Sequence, residues 1–384
     1  MEENFECPRC HNKDKALIGH RNGKPYCRAC ISFQGKKADP NFIIHKNLSL
    51  HLEYPLSEKQ EEISSSVVKA ISEGKNVLIH AVTGSGKTEL VYHAMEMILR
   101  KGGHVGFATP RKDVVIDLRP RIQEAFKKAD VIAVYGEHTS KIEGDIITLT
   151  THQLYRYTSY FDLLILDEID AFPYKGNAVL NEFFRQSVRG NYILLSATPS
   201  KEDLDKIKKD NGIILSLFER YHHHALPLPK YRKVYPLVKY ITCLYYLERF
   251  VKEKKPVFIF TPTIEIGKRL FKFLFHFYKC GSFVSSQEEK RRLDIEKFKN
   301  GEFEYLVTTS ILERGVTVKN LQVIIFDADH ELYDKASLIQ IAGRVGRKID
   351  AATGDVYFLA QEENDEMIEA RKEIDGYNKK SKLL

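Results

Sequence analysis

Three carboxylates stand within four residues of the chain, directly after an apolar run. Residues 163–166 lead into Asp167 and Glu168, and Asp170 follows after one intervening residue. Crowded carboxylates repel one another unless a cation offsets their charge, and a carboxylate at the end of a buried strand can hold Mg²⁺ as phosphoryl-transfer ATPases require. We therefore predict that Asp167 holds Mg²⁺ through its water shell and that Glu168 deprotonates an attacking water. A solvated acidic turn is the alternative.

A glycine-rich segment precedes these carboxylates, with Asp167 eighty residues after its lysine. The segment consists of Ala81, Val82, Thr83, Gly84, Ser85, Gly86, Lys87 and Thr88. Its glycines allow backbone N–H groups to turn inward around an anion, and a helix predicted to follow adds its positive N-terminus. Lys87 would reach the β- and γ-phosphates of ATP, and Thr88 would ligate Mg²⁺. The strict pattern has glycine where this chain has Ala81, so a chance match is the alternative.

Two arginines and a glutamine recur at helical spacing near the far end of the chain. Gln340, Arg344 and Arg347 lie within QIAGRVGR, and on a continuous helix they occupy positions i, i+4 and i+7, so we predict that they share one face. Arginines presented in this way suit a polyphosphate, and one placed against the γ-phosphate can raise the rate by ~10³–10⁵. Hydrolysis would then require two domains to close on ATP.

Four of the six cysteines form two pairs, Cys7 with Cys10 and Cys27 with Cys30, separated by sixteen residues. Each pair forms a short turn whose two thiolates can face one ion, and two such turns complete a tetrahedral sulfur site for Zn²⁺. Four protein ligands leave no open position, so this zinc is predicted to be structural. Two disulfides or free thiols are the alternative, which a reducing compartment disfavours.

The charge balance favours an anionic partner. The 384 residues include 59 Lys and Arg and 52 Asp and Glu, a net charge of +7. Residues 1–50 hold nine basic and five acidic residues, a net charge of +4, which suggests docking to nucleic acid or protein, with a solvated basic surface as the alternative. The acidic, polar start argues against a secretory signal. Because the sequence contains no run of 18 apolar residues, we predict no membrane-spanning helix. We therefore expect a cytosolic protein.

Short β-branched runs alternate with longer segments of helical spacing, which predicts an α/β fold with parallel sheets covered on both faces. The runs lie at 76–81, 104–109, 131–135, 145–150, 162–167 and 191–197, and again at 256–260, 281–284, 305–309, 323–327 and 355–360. Two prolines interrupt the stretch between these groups, so it is a candidate linker. We assign 1–45 to a zinc module, 51–222 to an ATP-binding domain, 223–230 to a linker and 231–384 to a second domain.

The motifs together resemble those of helicase superfamily two over nearly all of residues 51–360. The segments that carry the resemblance are AVTGSGKT, ATPR, TTHQL, DEID, SAT, TTSILERGVT and QIAGRVGR. More narrowly, DEIDAFP, TPRKDVVIDLRPRI, ILERGVT and the preceding four-cysteine module are similar to the late-competence DNA-uptake ATPases of the ComFA type. The resemblance implies two RecA-like parallel-sheet domains, the second being the helicase C-terminal domain, with ATP, Mg²⁺ and structural Zn²⁺ as cofactors. The chain is short for that family.

The resemblance also implies roles for individual residues. Gln60 would read the adenine of ATP, beside the loop residues and Gln340. Four residues would couple the state of ATP to domain closure: Asp170, Ser196, Thr198 and Gly315. A larger group would contact the DNA backbone, namely Thr109, Pro110, Arg111, Thr150 and Thr151 in the first domain and Thr308, Thr309, Glu313, Arg314 and Gly315 in the second.

Three functions remain open at this point. The resemblance implies a translocase ATPase on single-stranded DNA for natural transformation, working at the inner face of the membrane with a DNA channel and a phosphoribosyltransferase-like competence partner. A replication-restart or repair helicase related to the primosomal helicase is the second; the chain lacks that protein's large N-terminal DNA-binding region and its late cysteine clusters. The third is a nucleotide-gated DNA-binding adaptor without turnover, which the complete set of catalytic residues disfavours.

Overall fold

The computed structural model describes residues 5–45, 48–286, 290–309, 312 and 316–381. The chain divides into two compact units, one formed by Met1–Ala81 with Lys87–Leu217 and the other by Val82–Gly86 with Phe218–Leu384. The N-terminal cysteine segment belongs to the first unit, whereas we expected a separate module. The second unit begins at Phe218, a few residues before the predicted linker.

A two-stranded antiparallel hairpin carries part of the cysteine cluster. Strand β1 (Ile18–Arg21) pairs with β2 (Lys24–Cys27), and Asn22 and Gly23 between them have φ values of 51° and 72°. Two successive left-handed residues define a type I′ hairpin turn, for which Asn-Gly is a strongly preferred sequence. The dipeptide is therefore a turn signal that our predictions did not use.

The first unit is built on a seven-stranded parallel sheet in the order β5-β6-β4-β7-β8-β3-β9. Its elements are α1 (Glu58–Ser72), β3 (Val77–Ala81), α2 (Tyr92–Arg100), β4 (Val105–Thr109), α3 (Lys112–Ala125), β5 (Val131–Val134), β6 (Ile146–Thr150), β7 (Phe161–Asp167), α4 (Ala178–Ser187), β8 (Val188–Ser196), α5 (Lys201–Lys209) and β9 (Ile213–Leu217). Because the strands are parallel, their carboxyl ends share one edge of the sheet.

The second unit is built on a six-stranded parallel sheet in the order β10-β15-β14-β11-β13-β12. Its elements are β10 (Lys230–Lys233), α6 (Lys239–Lys252), β11 (Val257–Phe260), α7 (Ile264–Phe277), β12 (Gly281–Val284), α8 (Arg291–Lys299), β13 (Tyr305–Thr308), β14 (Gln322–Phe326), α9 (Lys335–Ala342), β15 (Val356–Ala360) and α10 (Asp365–Lys380).

Continuous apolar runs form the central strands because both faces of each sheet are covered. In β7, Leu163 and Ile165 pack into one hydrophobic cluster, while Leu164 and Leu166 pack into another. Side chains of a strand alternate between faces, so a strand buried on both sides has no polar position. The predicted α/β class is confirmed.

The predictions missed two strands at sheet edges. Strand β10 has the sequence KYRK and lies at the edge of the second sheet. Strand β9 lies at the edge of the first sheet and is only partly buried. An edge strand needs little apolar surface because it is covered less, and charged side chains there oppose pairing with other chains. The apolar pattern therefore gives a weak signal for β10, whereas the sequence of β9, IILSL, is an apolar run that our predictions overlooked.

Candidate active site and metal centre

The glycine-rich loop adopts the backbone conformation that its sequence predicts. It follows β3, and Gly84 and Gly86 have φ values of 82° and 77°, a region that only glycine enters without steric cost. A 3₁₀ turn over Glu89–Val91 comes next and leads into α2. The loop therefore joins a buried strand to a helical segment, which is the setting in which backbone amides can surround a phosphate.

The carboxylate cluster lies at the carboxyl edge of the same sheet that contains β3. Asp167 is the last residue of β7, and β8 separates β7 from β3. Adjacent strands are about 4.8 Å apart, so the ends of β3 and β7 are roughly 10 Å apart, a distance that a triphosphate with its Mg²⁺ can span. Glu168 has a φ of 57°, and its N–H donates to Oδ1 of Asp167 over 2.8 Å.

Asp170, the third carboxylate of the cluster, is accommodated by hydrogen bonds. It is buried, and it accepts hydrogen bonds from the hydroxyls of Ser196 and Thr198, both at 2.9 Å. Ser196 ends β8, so these bonds connect the segment after β7 to the end of the neighbouring strand. Hydrogen bonds to an ionised acceptor are stronger than neutral ones. Three of the four predicted coupling residues therefore lie together, and the fourth, Gly315, lies outside the described residues.

Gln60 caps the helix on which it lies. The Ser57 N–H donates to Oε1 of Gln60 over 2.9 Å, and the Gln60 N–H donates to Oγ of Ser57 over 3.4 Å. This reciprocal pair is a capping box at the start of α1. The carboxamide oxygen thus has a structural partner, and the adenine contact stays a prediction for the amide NH₂.

The predicted shared helical face of Gln340, Arg344 and Arg347 is wrong. Helix α9 ends at Ala342, and Gly346 has a φ of 68°. A left-handed residue cannot continue an α-helix, so Gly346 rules out one continuous helix from Gln340 to Arg347. Gln340 is buried on the helix, whereas the two arginines lie on the turn that follows it.

The two arginines of this turn have different environments. Arg344 is only 1% exposed, and its Nη1 donates to the Val316 carbonyl over 2.8 Å. Arg347 is half-buried, and its Nε donates to the Gly343 carbonyl over 3.0 Å. The buried guanidinium of Arg344 therefore supports the turn, while the side chain of Arg347 retains access to solvent.

Arg220 holds the same turn and was missed by the sequence predictions. It is 1% exposed, and its guanidinium donates to the carbonyls of Gly343, Val345 and Gly346 over 3.2, 2.9 and 2.8 Å. Burial, followed by the charge of Arg347, lowers the pKa of Arg220 to about 9. Nε2 of His222, which is also buried, donates to the Gly346 carbonyl over 2.8 Å. Hydropathy does not distinguish a buried arginine from an exposed one, so nothing in the sequence indicates that Arg220 is buried.

The four paired cysteines form one cluster, and their geometry fits zinc. Their sulfur atoms all lie within 4.8 Å of one another, with Cys7 and Cys30 at 3.6 Å and Cys10 and Cys27 at 3.7 Å. A tetrahedral ion with Zn–S bonds of about 2.3 Å places its sulfurs roughly 3.8 Å apart, whereas a disulfide bond is about 2.05 Å long. The donor set is thus suited to a Zn²⁺ held by four thiolates.

The cysteine segment packs against the first unit around a 3₁₀ turn over Thr151–Arg156. Nη1 of Arg156 donates to the Lys36 carbonyl over 2.8 Å, and the Tyr155 hydroxyl donates to the Gln34 carbonyl over 2.5 Å. The ring of Phe33 stacks on His152 with centroids 6.0 Å apart. All four cysteines belong to the same hydrophobic cluster as strands of the first sheet. The cysteine segment therefore shares a hydrophobic core with the first unit.

Most of the predicted DNA contacts have buried side chains. The buried members are Thr109, Pro110, Thr150, Thr151 and Thr308, whereas Arg111 and Thr309 are half-buried. Glu313 and Arg314 lie outside the described residues. Buried hydroxyls cannot reach a nucleic acid, so contact at the threonines would have to use backbone groups. Within the described part of the chain, no helix is both long and apolar enough to cross a membrane.

Comparison with known proteins identifies both units. A DEAD/DEAH box helicase model matches residues 61–207, and a helicase conserved C-terminal domain model matches residues 238–348. The solved structure of Dbp5 from S. cerevisiae bound to RNA and ADP BeF3 is similar, with a TM-score of 0.63 and 17% identity over 84% of this chain and 91% of that one. The predicted pair of RecA-like domains is therefore confirmed.

Two relatives match almost the whole chain. Competence protein ComFA of Bacillus subtilis is 34% identical over 97% of this chain and 86% of its own length. Competence protein ComFA of Streptococcus pneumoniae is 36% identical over 98% of this chain and 91% of its own length. Together with the two helicase domains and the cysteine cluster, these matches show that the chain belongs to the ComFA family of competence proteins and is a helicase-type ATPase.

Proposed function

We propose that the protein hydrolyses ATP to move along single-stranded DNA and that this movement powers DNA uptake in natural transformation. The group formed by Asp170, Ser196 and Thr198 carries the proposal, because its hydrogen bonds connect the turn that bears the ATP carboxylates to the next strand. A shift at the phosphates would reach the end of β8 through these bonds. The membership of the competence family supports a role in DNA uptake.

The ATP site uses the residues at the carboxyl edge of the first sheet. Lys87 would bind the β- and γ-phosphates, and Thr88 and Asp167 would hold a Mg²⁺ that supplies positive charge to the phosphates. Glu168 accepts the proton of the attacking water. Arg347, which is the less buried of the two late arginines, contacts the γ-phosphate as charge develops on it.

The DNA would be held along its phosphates, and the protein would work with a phosphoribosyltransferase-like partner and a membrane DNA channel. A grip on phosphates needs no contact with base edges, so the preferred substrate is a single strand of any sequence. Duplex DNA is too wide for a site of this kind and should be a poor activator.

The proposal is tested by the ATPase rate measured with no nucleic acid, single-stranded DNA, duplex DNA and RNA. We expect several-fold stimulation by single-stranded DNA of any sequence and little by duplex DNA. Equal stimulation by duplex DNA, or stimulation by RNA alone, would contradict the proposal. Efficient strand displacement on forked DNA would instead favour a replication-restart or repair helicase.

A further inference from the structure

A groove in the first unit borders the cysteine cluster and lies outside the predicted ATP site. It has a volume of about 650 Å³ and lies between the first cysteine pair and the segment that follows Asp170. One wall is formed by residues 10–13, and the opposite wall by residues 172, 173 and 175–179. The groove therefore borders the predicted zinc site and the chain segment that follows the carboxylate cluster.

The aromatic ring of Phe172 lines this groove and is largely exposed to solvent. Phe172 is 82% exposed, although a buried phenylalanine removes roughly 150–250 Å² of surface from water. Pro173 and Val179 continue the apolar wall. An exposed aromatic ring in an apolar groove favours a ligand that presents a flat hydrophobic face.

The charged lining of the groove is positive. Lys13 and Lys175 both line it and are both exposed, and none of its lining residues is an aspartate or a glutamate. The Lys13 ammonium lies 3.1 Å from a carboxylate oxygen of Glu6, which offsets part of its charge from outside the groove. A ligand that fits has both flat apolar groups and negative charge, which is the composition of a single-stranded nucleic acid.

We propose that this groove is a base-stacking subsite for single-stranded DNA, in which a base lies on Phe172 and the adjoining phosphates lie near Lys13 and Lys175. The inference rests on the proposed function and names a DNA contact outside the threonine segments. Stacking on an aromatic side chain contributes about 1–3 kcal/mol per base and tolerates any sequence. A protein partner seated in the groove is the competing outcome.

The position of Phe172 gives the subsite a route to the ATP site. Phe172 follows Asp170 by two residues, and the Asp170 carboxylate accepts hydrogen bonds from the hydroxyls of Ser196 and Thr198. A base that moves the Phe172 segment therefore acts on the same turn that bears Asp167 and Glu168. Occupation of the groove would stimulate hydrolysis as well as add affinity.

A tryptophan placed at this position tests the proposal directly, because the chain contains no tryptophan. In Phe172→Trp, indole fluorescence reports only on the groove. We expect saturating oligo-dT to quench this emission, and an abasic oligonucleotide of equal length to leave it nearly unchanged. Leu237→Trp is the matched control, since Leu237 is 92% exposed and lies outside the groove; its emission should not change with either oligonucleotide.

The anisotropy of a labelled oligo-dT, measured on the same samples, distinguishes a failure of the subsite from a failure of the proposed function. If wild-type protein neither binds the oligonucleotide nor is stimulated by it, the proposed function fails and the subsite fails with it. If binding is saturated and the Phe172→Trp emission is unchanged, or equally quenched by the abasic strand, only the subsite is overturned. As a second variant, Phe172→Ala should lose at least half of the single-strand stimulation, measured relative to its own rate without DNA; full stimulation would count against the subsite.

Discussion

Glu168 has a backbone conformation that non-glycine residues rarely adopt, with a φ of 57°. Such a conformation costs of order 1–3 kcal/mol and persists where the surrounding structure enforces it. Here the Glu168 N–H donates to the Asp167 carboxylate, so the two acidic residues are held at a fixed angle to each other. The side chain that we assign as the base is therefore oriented by the backbone at the end of β7.

The first prediction concerns this base. Glu168→Gln should bind ATP normally and lower kcat by at least ~10², because an amide cannot accept the proton of water. Lys87→Ala should also abolish turnover, with a loss of ATP affinity as well. Nucleotide binding and single-turnover hydrolysis measure the two effects separately. A Glu168→Gln variant with nearly wild-type kcat would show that another group is the base.

The second prediction separates the two late arginines. Arg347→Ala should lower kcat by at least ~10² with a smaller change in ATP affinity, since its contact strengthens in the transition state. Arg344→Ala should in addition destabilise the fold by about 2 kcal/mol, or roughly 4–8 °C in Tm, because it leaves the buried Val316 carbonyl without its donor. Thermal unfolding of both variants is the measurement. Equal unfolding temperatures would refute the distinction.

At the scale of elements, the turn after α9 is held from a neighbouring segment of the second unit. Arg220 and His222 donate to carbonyls of Gly343, Val345 and Gly346. Backbone carbonyls that leave a helix need donors when they are buried. Arg220 and His222, which we assigned to the end of the ATP-binding domain, therefore position the loop that carries Arg347.

The third prediction compares two adjacent histidines. His222→Ala should lower Tm by roughly 2–6 °C and reduce kcat, because the Gly346 carbonyl loses a donor and the turn is less well held. His223→Ala is the control. His223 is exposed, and its side chain bonds to Glu219 rather than to the turn after α9. If both variants unfold and turn over alike, His222 has no special part in holding the turn.

The cysteine segment is the second element whose role depends on packing. Residues 33–38 contact the 3₁₀ turn over Thr151–Arg156, and the cysteines share a hydrophobic cluster with Leu149 and Leu154. Disruption of the cysteine cluster would therefore loosen a segment of the first unit that includes Thr151, one of the predicted DNA contacts.

The fourth prediction follows from this shared core. Elemental analysis should find one Zn²⁺ per chain in the wild type. Cys7→Ser should lose the metal and lower the unfolding temperature of the first unit, since binding of structural zinc contributes to folding. Cys280→Ser, at an exposed cysteine outside the cluster, should change neither quantity. Protein without zinc but with wild-type stability would contradict the prediction.

At the scale of the whole molecule, the net charge of +7 is concentrated near the N-terminus. Arg21 and Lys24 are exposed at the turn end of the β1–β2 hairpin. Basic residues that contact phosphates release counterions from DNA, so affinity falls as salt rises.

The fifth prediction tests this charge. Binding of single-stranded DNA should weaken as salt rises from about 50 to 200 mM, and the double variant Arg21→Gln/Lys24→Gln should flatten the plot of log affinity against log salt by about 0.7 per lost phosphate contact. Lys127→Gln/Lys128→Gln removes the same charge from another exposed position of the first unit. Identical slopes for the two double variants would show that the hairpin makes no specific phosphate contact.

Several features of this protein follow from the sequence alone, because local chemistry specifies them. The glycines at 84 and 86 are needed for left-handed backbone, and both have positive φ. The cysteine spacing brings four thiols to one point, and continuous apolar runs become the central strands of two parallel sheets. Each of these features depends on residues that are close in the chain or on a pattern of apolar residues within a short segment.

Other features were decided only by tertiary structure, because they depend on what a side chain meets after folding. The spacing of Gln340, Arg344 and Arg347 suggested a helix, but α9 ends at Ala342 and Gly346 is left-handed. Arg220 became a buried donor to three carbonyls far along the chain. The cysteine segment joined the core of the first unit. The free energy of burial depends on contacts between distant residues, and these contacts are not encoded in local spacing.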